Sequence, residues 1–258
     1  MTHNSRTVII TGGGTGIGAA TAHRFAAQGT AVALVGRRPG PLEETVMQIR
    51  RSGGTAIAIP ADLADPATPE KLVSIVISEW DRLDMIVNNA TAIQHMPIQQ
   101  ANQEWFDMHY AVNIRAPYFL IQAALPYLLK SDYPAVVNIS SSSASMSIPG
   151  QSMYGMSKAA LEYLTRSLAA ELAPKVRVNC IAPGPVDTPI HLKKGIADVA
   201  GEYQRMVNGL PLGRMGTANE LGAWIVWLCS PESSFVTGAV IPVDGGQTLQ
   251  GALSRPAK

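Results

Sequence analysis

Thr7-Val8-Ile9-Ile10-Thr11-Gly12-Gly13-Gly14-Thr15-Gly16-Ile17-Gly18 is the stretch that decides the fold. A short apolar run ends in a glycine-rich turn, and a helical pattern follows from Ile17 to about Gln28. Glycine lets a backbone come close to a pyrophosphate, and a helix N-terminus offers unpaired N–H groups and a positive dipole end. Gly12, Thr15, Gly16, Ile17 and Gly18 are therefore candidate phosphate-binding residues. The spacing Gly12-x3-Gly16-x-Gly18 departs from G-x-G-x-x-G, and a tight βα turn without a ligand would use the same glycines.

Outward from this turn, short β-branched runs alternate with helical stretches. Ala31–Val35 precedes a helix near Leu42–Arg51, and Ala56–Ile59 precedes one near Ala67–Trp80. Met85–Val87 precedes two helical stretches, Gln103–Val112 and Ala116–Leu129. Ala135–Ile139 precedes a helix from Ser152 to about Leu172, and Val176–Ile181 follows it. A long loop, a helix near Asn219–Cys229 and a last strand, Ala239–Val243, complete the chain. The strands are continuously apolar rather than alternating, the mark of a parallel sheet covered on both faces. The expected fold is α/β: a doubly wound, Rossmann-like parallel sheet of about seven strands, in one domain over residues 1–258.

The second apolar run ends in Val35-Gly36-Arg37-Arg38. A dinucleotide fold that selects NAD usually carries an acidic residue here for the ribose 2′-hydroxyl, and none occurs before Glu43. Arg37 or Arg38 can hold a 2′-phosphate instead, so NADP(H) is favoured over NAD(H).

Composition narrows the function classes. Of 258 residues, 47% are hydrophobic and 15% charged, which fits a globular protein and excludes disorder. A net charge of +1 gives no reason to expect nucleic acid or an anionic membrane as partner. Cys180 and Cys229 both lie in apolar runs and are read as buried, reduced thiols. No His/Cys/Asp cluster has metal-ligand spacing. The polar start lacks a secretion signal, and no apolar run approaches the roughly 18–20 residues a membrane span needs, so a cytoplasmic location is expected.

The chemistry points to Tyr154 and Lys158. They stand four residues apart on the helix that begins near Ser152, so a phenol and an ammonium share one helix face. A neighbouring positive charge lowers a phenol pKa, and a phenol so tuned exchanges a proton with a carbonyl or alcohol oxygen. Ser141, thirteen residues before Tyr154, ends the strand Ala135–Ile139 within a run of four serines.

Taken together these pieces resemble the short-chain dehydrogenase/reductase family. The markers run in family order from about Thr7 to Gly246: the glycine turn, Asp62-Leu63, Asn88-Asn89-Ala90, Asn113, Ser141, Tyr154-x3-Lys158, Pro183-Gly184-x-Val186-x-Thr188 and Val243-Asp244-Gly245-Gly246. The resemblance implies that Tyr154 is the acid in reduction and the base in oxidation. It further implies that Lys158 tunes Tyr154 and bonds the nicotinamide ribose, that Ser141 holds the substrate oxygen, and that Asn113 anchors a water in a proton relay. Asp62 and Leu63 would meet the adenine, Asn89 and Ala90 would line the cleft, and Pro183, Gly184, Val186 and Thr188 would border the nicotinamide. Where the family reads Asn-Asn-Ala-Gly, this chain reads Asn88-Asn89-Ala90-Thr91. Thr91 is expected to narrow the cleft, add a hydroxyl contact or be tolerated, without touching the proton-transfer residues.

Substrate choice is placed in Thr91–Ile98 and in a lid at about 186–214, because loops at the carboxyl ends of strands carry specificity in such folds. Met96, Ile98, Met146, Ile148, Met153, Ile190, Leu192 and Met206 are candidate pocket residues, with His95, Lys193 and Lys194 as polar candidates. The expected activity is reversible, NADPH-dependent reduction of a ketone to a secondary alcohol. The alternatives are reduction of a 3-oxoacyl thioester and, less favoured, a non-catalytic cofactor sensor. Excess apolar surface on the stretches Ala116–Leu129 and Leu161–Leu172 points to subunit contacts, and the resemblance makes a homotetramer the first expectation and a dimer the second.

Overall fold

The computed structural model describes residues 6–189 and 199–249. Its strands and helices follow the expected alternation: β1 (Thr7–Thr11), α1 (Gly16–Ala27), β2 (Ala31–Gly36), α2 (Pro39–Arg51), β3 (Ala56–Pro60), α3 (Thr68–Trp80) and β4 (Met85–Asn88). Then come α4 (Gln103–Tyr110), α5 (Ala116–Leu128), β5 (Ala135–Ile139), α6 (Ser152–Leu172) and β6 (Arg177–Pro183). β7 (Val186–Asp187), α7 (Val199–Asn208), β8 (Gly216–Thr217), α8 (Ala218–Leu228) and β9 (Val240–Val243) close the chain. Seven strands form one parallel sheet in the order β3-β2-β1-β4-β5-β6-β9. The chain reverses its direction of winding between β1 and β4, and a crevice opens there at the strands' carboxyl ends.

The continuous apolar runs of β1, β2, β4, β5 and β6 have a direct cause, since these strands bury both faces, while β3 and β9 at the edges are only partly buried. In β1, Val8 and Ile10 pack with Phe25, Leu42 and Ile225 on one side. Ile9 packs with Leu72, Val76 and Leu120 on the other. Phe25 is fully buried, and truncating such a side chain to alanine costs about 3–5 kcal/mol. This two-sided core fixes where the carboxyl ends of β1, β4 and β5 stand, and so where the site lies.

Three local features differ from the sequence reading. α2 begins at Pro39 rather than Leu42, because proline is tolerated in a first helical turn where no N–H partner is needed. Between α4 and α5 the chain stays helical through a π turn, Ala111–Arg115, instead of breaking. Pro117 has no N–H to give to the carbonyl of Asn113, so the α-helical ladder fails there. Finally, β7 and β8 form a separate two-residue parallel pair, too short to carry a periodic signal.

α8 shows how loop chemistry sets a helix start. The Thr217 hydroxyl accepts from the Glu220 N–H while the Glu220 carboxylate accepts from the Thr217 N–H, a reciprocal cap. The Arg214 guanidinium beside it holds the Glu220 carboxyl at about 2. Cys180 and Cys229 are free and buried, and burial pushes both thiols up to about 12. Among the described residues no helix is long and apolar enough to cross a membrane.

Candidate active site

The glycine turn closes over the end of β4. Asn89 Nδ2 donates to the carbonyls of Thr11 and Gly12 at 2.9 and 3.2 Å. The Thr11 hydroxyl accepts from the N–H groups of Asn89 and Ala90, both at 3.0 Å. Gly12 lies at φ +68°, and a Cβ there would meet Asn89 Nδ2 at 2.8 Å. Gly18 faces the turn rather than the crevice, because a Cβ on it would fall 2.3 Å from the Gly12 carbonyl oxygen. Its role in the geometry is close packing of α1 against the turn.

A cleft of about 750 Å³ runs along the carboxyl ends of the strands. It brings together Gly12, Thr15, Gly16, Ile17, Arg37, Arg38, Asp62, Leu63, Asn89, Ala90 and Thr188 from the sequence reading. Thr91, Trp105, Met108 and Val112 also line it. Val186 instead sits in the core beside Leu221, Pro183 is buried at the end of β6, and Gly184 packs against Asp244. The cleft suits a dinucleotide on two grounds. α1 begins without a side-chain cap and with no acidic residue in its first turn, so its N–H groups and dipole face the cleft uncompensated. Arg37 and Arg38 are exposed at the end of β2, where a ribose phosphate would lie.

The candidate proton-transfer residues gather where α6 crosses the ends of β4 and β5. Lys158 is 2% exposed, and its Nζ donates to the Ile139 carbonyl at 2.8 Å while standing 5.7 Å from the Tyr154 ring centroid. Burial lowers the Lys158 ammonium from 10.5 to about 8. Tyr154 is also buried, and burial raises its phenol, with the nearby Ser141 and Thr91 hydroxyls acting in the opposite direction. The sequence reading expected Lys158 to lower this pKa; loss of water around the phenol raises it instead.

The serine run resolves by direction. The Ser140 hydroxyl turns away to Glu162 Oε1 at 2.8 Å, and Ser143 donates to Gln151 Oε1 at 2.8 Å. Ser141 accepts from the Ser143 N–H at 3.2 Å and is the serine beside the phenol. Asn113 is 1% exposed, within the π turn. Its amide donates to the Ala92 carbonyl at 3.0 Å and the Ser157 hydroxyl at 2.9 Å, and accepts from the Ala92 N–H at 2.8 Å. The side chain therefore clamps the segment after β4 onto α6.

One expectation changes here, and one residue near the phenol escaped the sequence reading. Thr91 does touch a candidate proton-transfer residue, contrary to expectation: its hydroxyl lies 3.3 Å from Asn113 Oδ1. His109 is fully buried, with Nδ1 2.6 Å from the Trp105 carbonyl and its ring 6.4 Å from that of Tyr154. Because a carbonyl only accepts, Nδ1 carries the proton, and burial lowers the imidazole pKa. His109 precedes Asn113 by one helical turn, the signal that would have found it.

The Thr91–Ile98 segment meets the loop that carries Met146 and Ile148, where the Met96 N–H donates to the Gly150 carbonyl at 2.8 Å. Met146, Ile148 and Met206 are half-buried, Met153 is buried in the core, and Ile98 is 73% exposed. His95 is exposed against Gly150. Ile190, Leu192, Lys193 and Lys194 lie outside the described residues.

Comparison with known proteins agrees with this geometry. A family model described as "Enoyl-(Acyl carrier protein) reductase" matches residues 12–248. The chain belongs to the short-chain dehydrogenase/reductase family. It is 34% identical to an uncharacterized oxidoreductase of Thermotoga maritima, covering 96% of this chain and 99% of that one. It is 31% identical to a cyclopentanol dehydrogenase of Comamonas testosteroni, covering 95% and 98%. A putative short-chain alcohol dehydrogenase from Sinorhizobium meliloti superposes with a TM-score of 0.88 at 31% identity, covering 95% and 96%. The chain is therefore an oxidoreductase whose family acts on CH–OH and C=O groups with a nicotinamide cofactor.

Proposed function

We propose that this short-chain dehydrogenase/reductase is an NADPH-dependent reductase that converts a moderately hydrophobic ketone to a secondary alcohol, reversibly. The observation that carries the reading is the buried Tyr154–Lys158 pair on α6, with Lys158 Nζ 5.7 Å from the phenol ring and Ser141 near enough to lower the phenol pKa. The nicotinamide supplies the hydride that adds to the carbonyl carbon. Tyr154 gives its phenolic proton to the carbonyl oxygen, and Ser141 donates a hydrogen bond to the same oxygen as charge gathers there. Lys158, protonated in part at neutral pH, supports the phenolate that remains and bonds the ribose. Asn113 holds the segment after β4 against α6, and its carbonyl, left without an α-helical donor, anchors a water in the proton path.

Arg37 and Arg38 support the NADPH preference, since guanidinium groups pair with a 2′-phosphate and no carboxylate precedes Glu43. Thr188 in the cleft borders the nicotinamide, Pro183, Gly184 and Val186 hold the segment that presents it, and Asp62 and Leu63 meet the adenine. A homotetramer in the cytoplasm fits the apolar residues that α5 and α6 turn outward: Tyr118, Phe119 and Tyr163 are 43%, 43% and 69% exposed. A second reading, reduction of a 3-oxoacyl thioester, is favoured by the acyl-carrier-protein description of the matched family model.

The test is a panel of cyclic and aliphatic ketones, a steroid ketone and an acetoacetyl thioester, followed by loss of reduced-nicotinamide absorbance with NADPH and NADH in parallel. Turnover of ketones with NADPH supports the leading reading, and turnover confined to the thioester moves the assignment to the second. Cofactor binding without any turnover removes both.

A further inference from the structure

The first turn of α6 and the serine turn after β5 are joined by a chain of hydrogen bonds that the proposed chemistry does not use. The Ser143 hydroxyl donates to Gln151 Oε1 at 2.8 Å, and Gln151 stands three residues ahead of Tyr154. Ser141 Oγ accepts from the Ser143 N–H at 3.2 Å and lies 3.3 Å from Ser143 Oγ. A carbonyl oxygen only accepts, so Gln151 takes the Ser143 proton and leaves Ser143 Oγ facing Ser141 as an acceptor. A separation of 3.3 Å is long for O–H···O, whose usual value is about 2.7–2.8 Å. The Ser141 proton is thus loosely held, and it turns to a substrate oxygen at little cost.

Two further observations mark this chain as a fastening. Gln151 occupies the N-cap of α6, where short polar side chains are favoured, yet its side chain makes no cap bond and goes to Ser143 instead. Gly155, next to Tyr154, lets the same serine turn dock closely, since a Cβ there would lie 2.7 Å from the Ser143 carbonyl oxygen. On the other side of Tyr154, Lys158 Nζ donates to the Ile139 carbonyl at 2.8 Å and the Ser140 hydroxyl donates to Glu162 Oε1 at 2.8 Å. α6 is therefore tied to the end of β5 on both sides of the phenol, and Ser143 is itself buried.

We propose that Ser143 and Gln151 are positioning residues: together they clasp the turn that carries Ser141 to the start of the helix that carries Tyr154, so that both hydroxyls reach one substrate oxygen. This inference rests on the reading of Ser141 and Tyr154 as the groups that meet that oxygen. Catalysis by oriented groups is sensitive to small displacements, and a misplacement of about 1 Å costs up to about a hundredfold in rate. Without the clasp, the bond from the Ser143 N–H still holds Ser141 on its own turn, but the side-chain tie from that turn to the N-cap of α6 is lost. Neither Ser143 nor Gln151 touches the reacting atoms, so their effect passes through Ser141.

The test compares Ser143→Ala and Gln151→Met, which remove the donor and the acceptor of one bond with little change of shape, and the two combined. Each single variant lowers kcat for ketone reduction by about tenfold and leaves the KM for NADPH within about twofold of the parent. The double variant is no slower than either single variant, because both break the same bond. In a Ser141→Ala background, Ser143→Ala slows the residual turnover by less than about twofold, a result that a merely structural role would not give. Equal losses with and without the Ser141 hydroxyl, multiplied losses in the double variant, or a parent-like kcat in both single variants overturn the proposal. A loss confined to the KM of one ketone assigns the pair to substrate binding and overturns it too. A second readout needs no substrate: the Gly155 amide, bonded to the Gln151 carbonyl at 2.7 Å, exchanges its hydrogen faster in both variants than in the parent. If no panel ketone turns over, the proposed activity falls, while unchanged exchange at Gly155 still overturns the clasp and faster exchange sustains it.

Discussion

Replacing Lys158 by methionine will stabilise the fold while abolishing turnover. The lysine is fully enclosed, and burial lowers its ammonium from an ordinary 10.5 to about 8. At about 1.4 kcal/mol per pH unit, that gap of about 2.5 means the folded state carries a burden of about 3 kcal/mol near neutral pH. The sign follows from proton counting. Below pH 8 both the folded and unfolded chains hold the proton, and the full burden applies. Between about 8 and 10.5 only the unfolded chain holds it, so the stability of the parent rises with pH. Methionine matches the lysine stem in length and carries no charge. It also forfeits the 2.8 Å bond to the Ile139 carbonyl, worth about 1 kcal/mol. The net gain at neutral pH is about 2 kcal/mol, or about 5 °C in Tm for a chain of this size. Urea unfolding of parent and variant at pH 7 and at pH 9.5 measures it, with the gap shrinking to below about 1 kcal/mol at the higher pH. A variant less stable than the parent at pH 7, or a gap that ignores pH, refutes the reasoning. A buried ammonium kept at such a cost belongs to the function rather than to the fold.

Two further outcomes follow from the cleft. Gly18→Ala drives a Cβ to 2.3 Å from the Gly12 carbonyl oxygen and destabilises the chain by about 3 kcal/mol in urea unfolding, with loss of dinucleotide binding by calorimetry. Arg37→Ala combined with Arg38→Ala raises the KM for NADPH by about tenfold or more and that for NADH by less than about threefold, read in parallel steady-state assays.

The sheet was readable because its five central strands bury both faces, and glycine, proline and serine punctuate the ends. The four proton-transfer residues were readable for a different reason. Tyr154 and Lys158 are neighbours on one helix, and Ser141 and Asn113 take their places from the family pattern. What stayed hidden depends on contacts between distant segments. Asn113 clamps the loop after β4 onto α6, and this sets Thr91 against Asn113, twenty-two positions further along the chain. No periodicity records such a contact. The direction of the Tyr154 shift was equally hidden, because spacing reveals the charge one turn away but not the loss of water around the phenol. The π turn left one legible trace, Pro117 four residues after Asn113, where the α-helical ladder needs a donor.

The central claim is that Tyr154 transfers the proton. It is tested most directly by the rate of NADPH-dependent reduction of the best panel ketone in Tyr154→Phe against the parent, at matched cofactor occupancy. The account predicts a fall in kcat of about a thousandfold with cofactor affinity unchanged. A variant that retains more than about a tenth of the parent rate would contradict it.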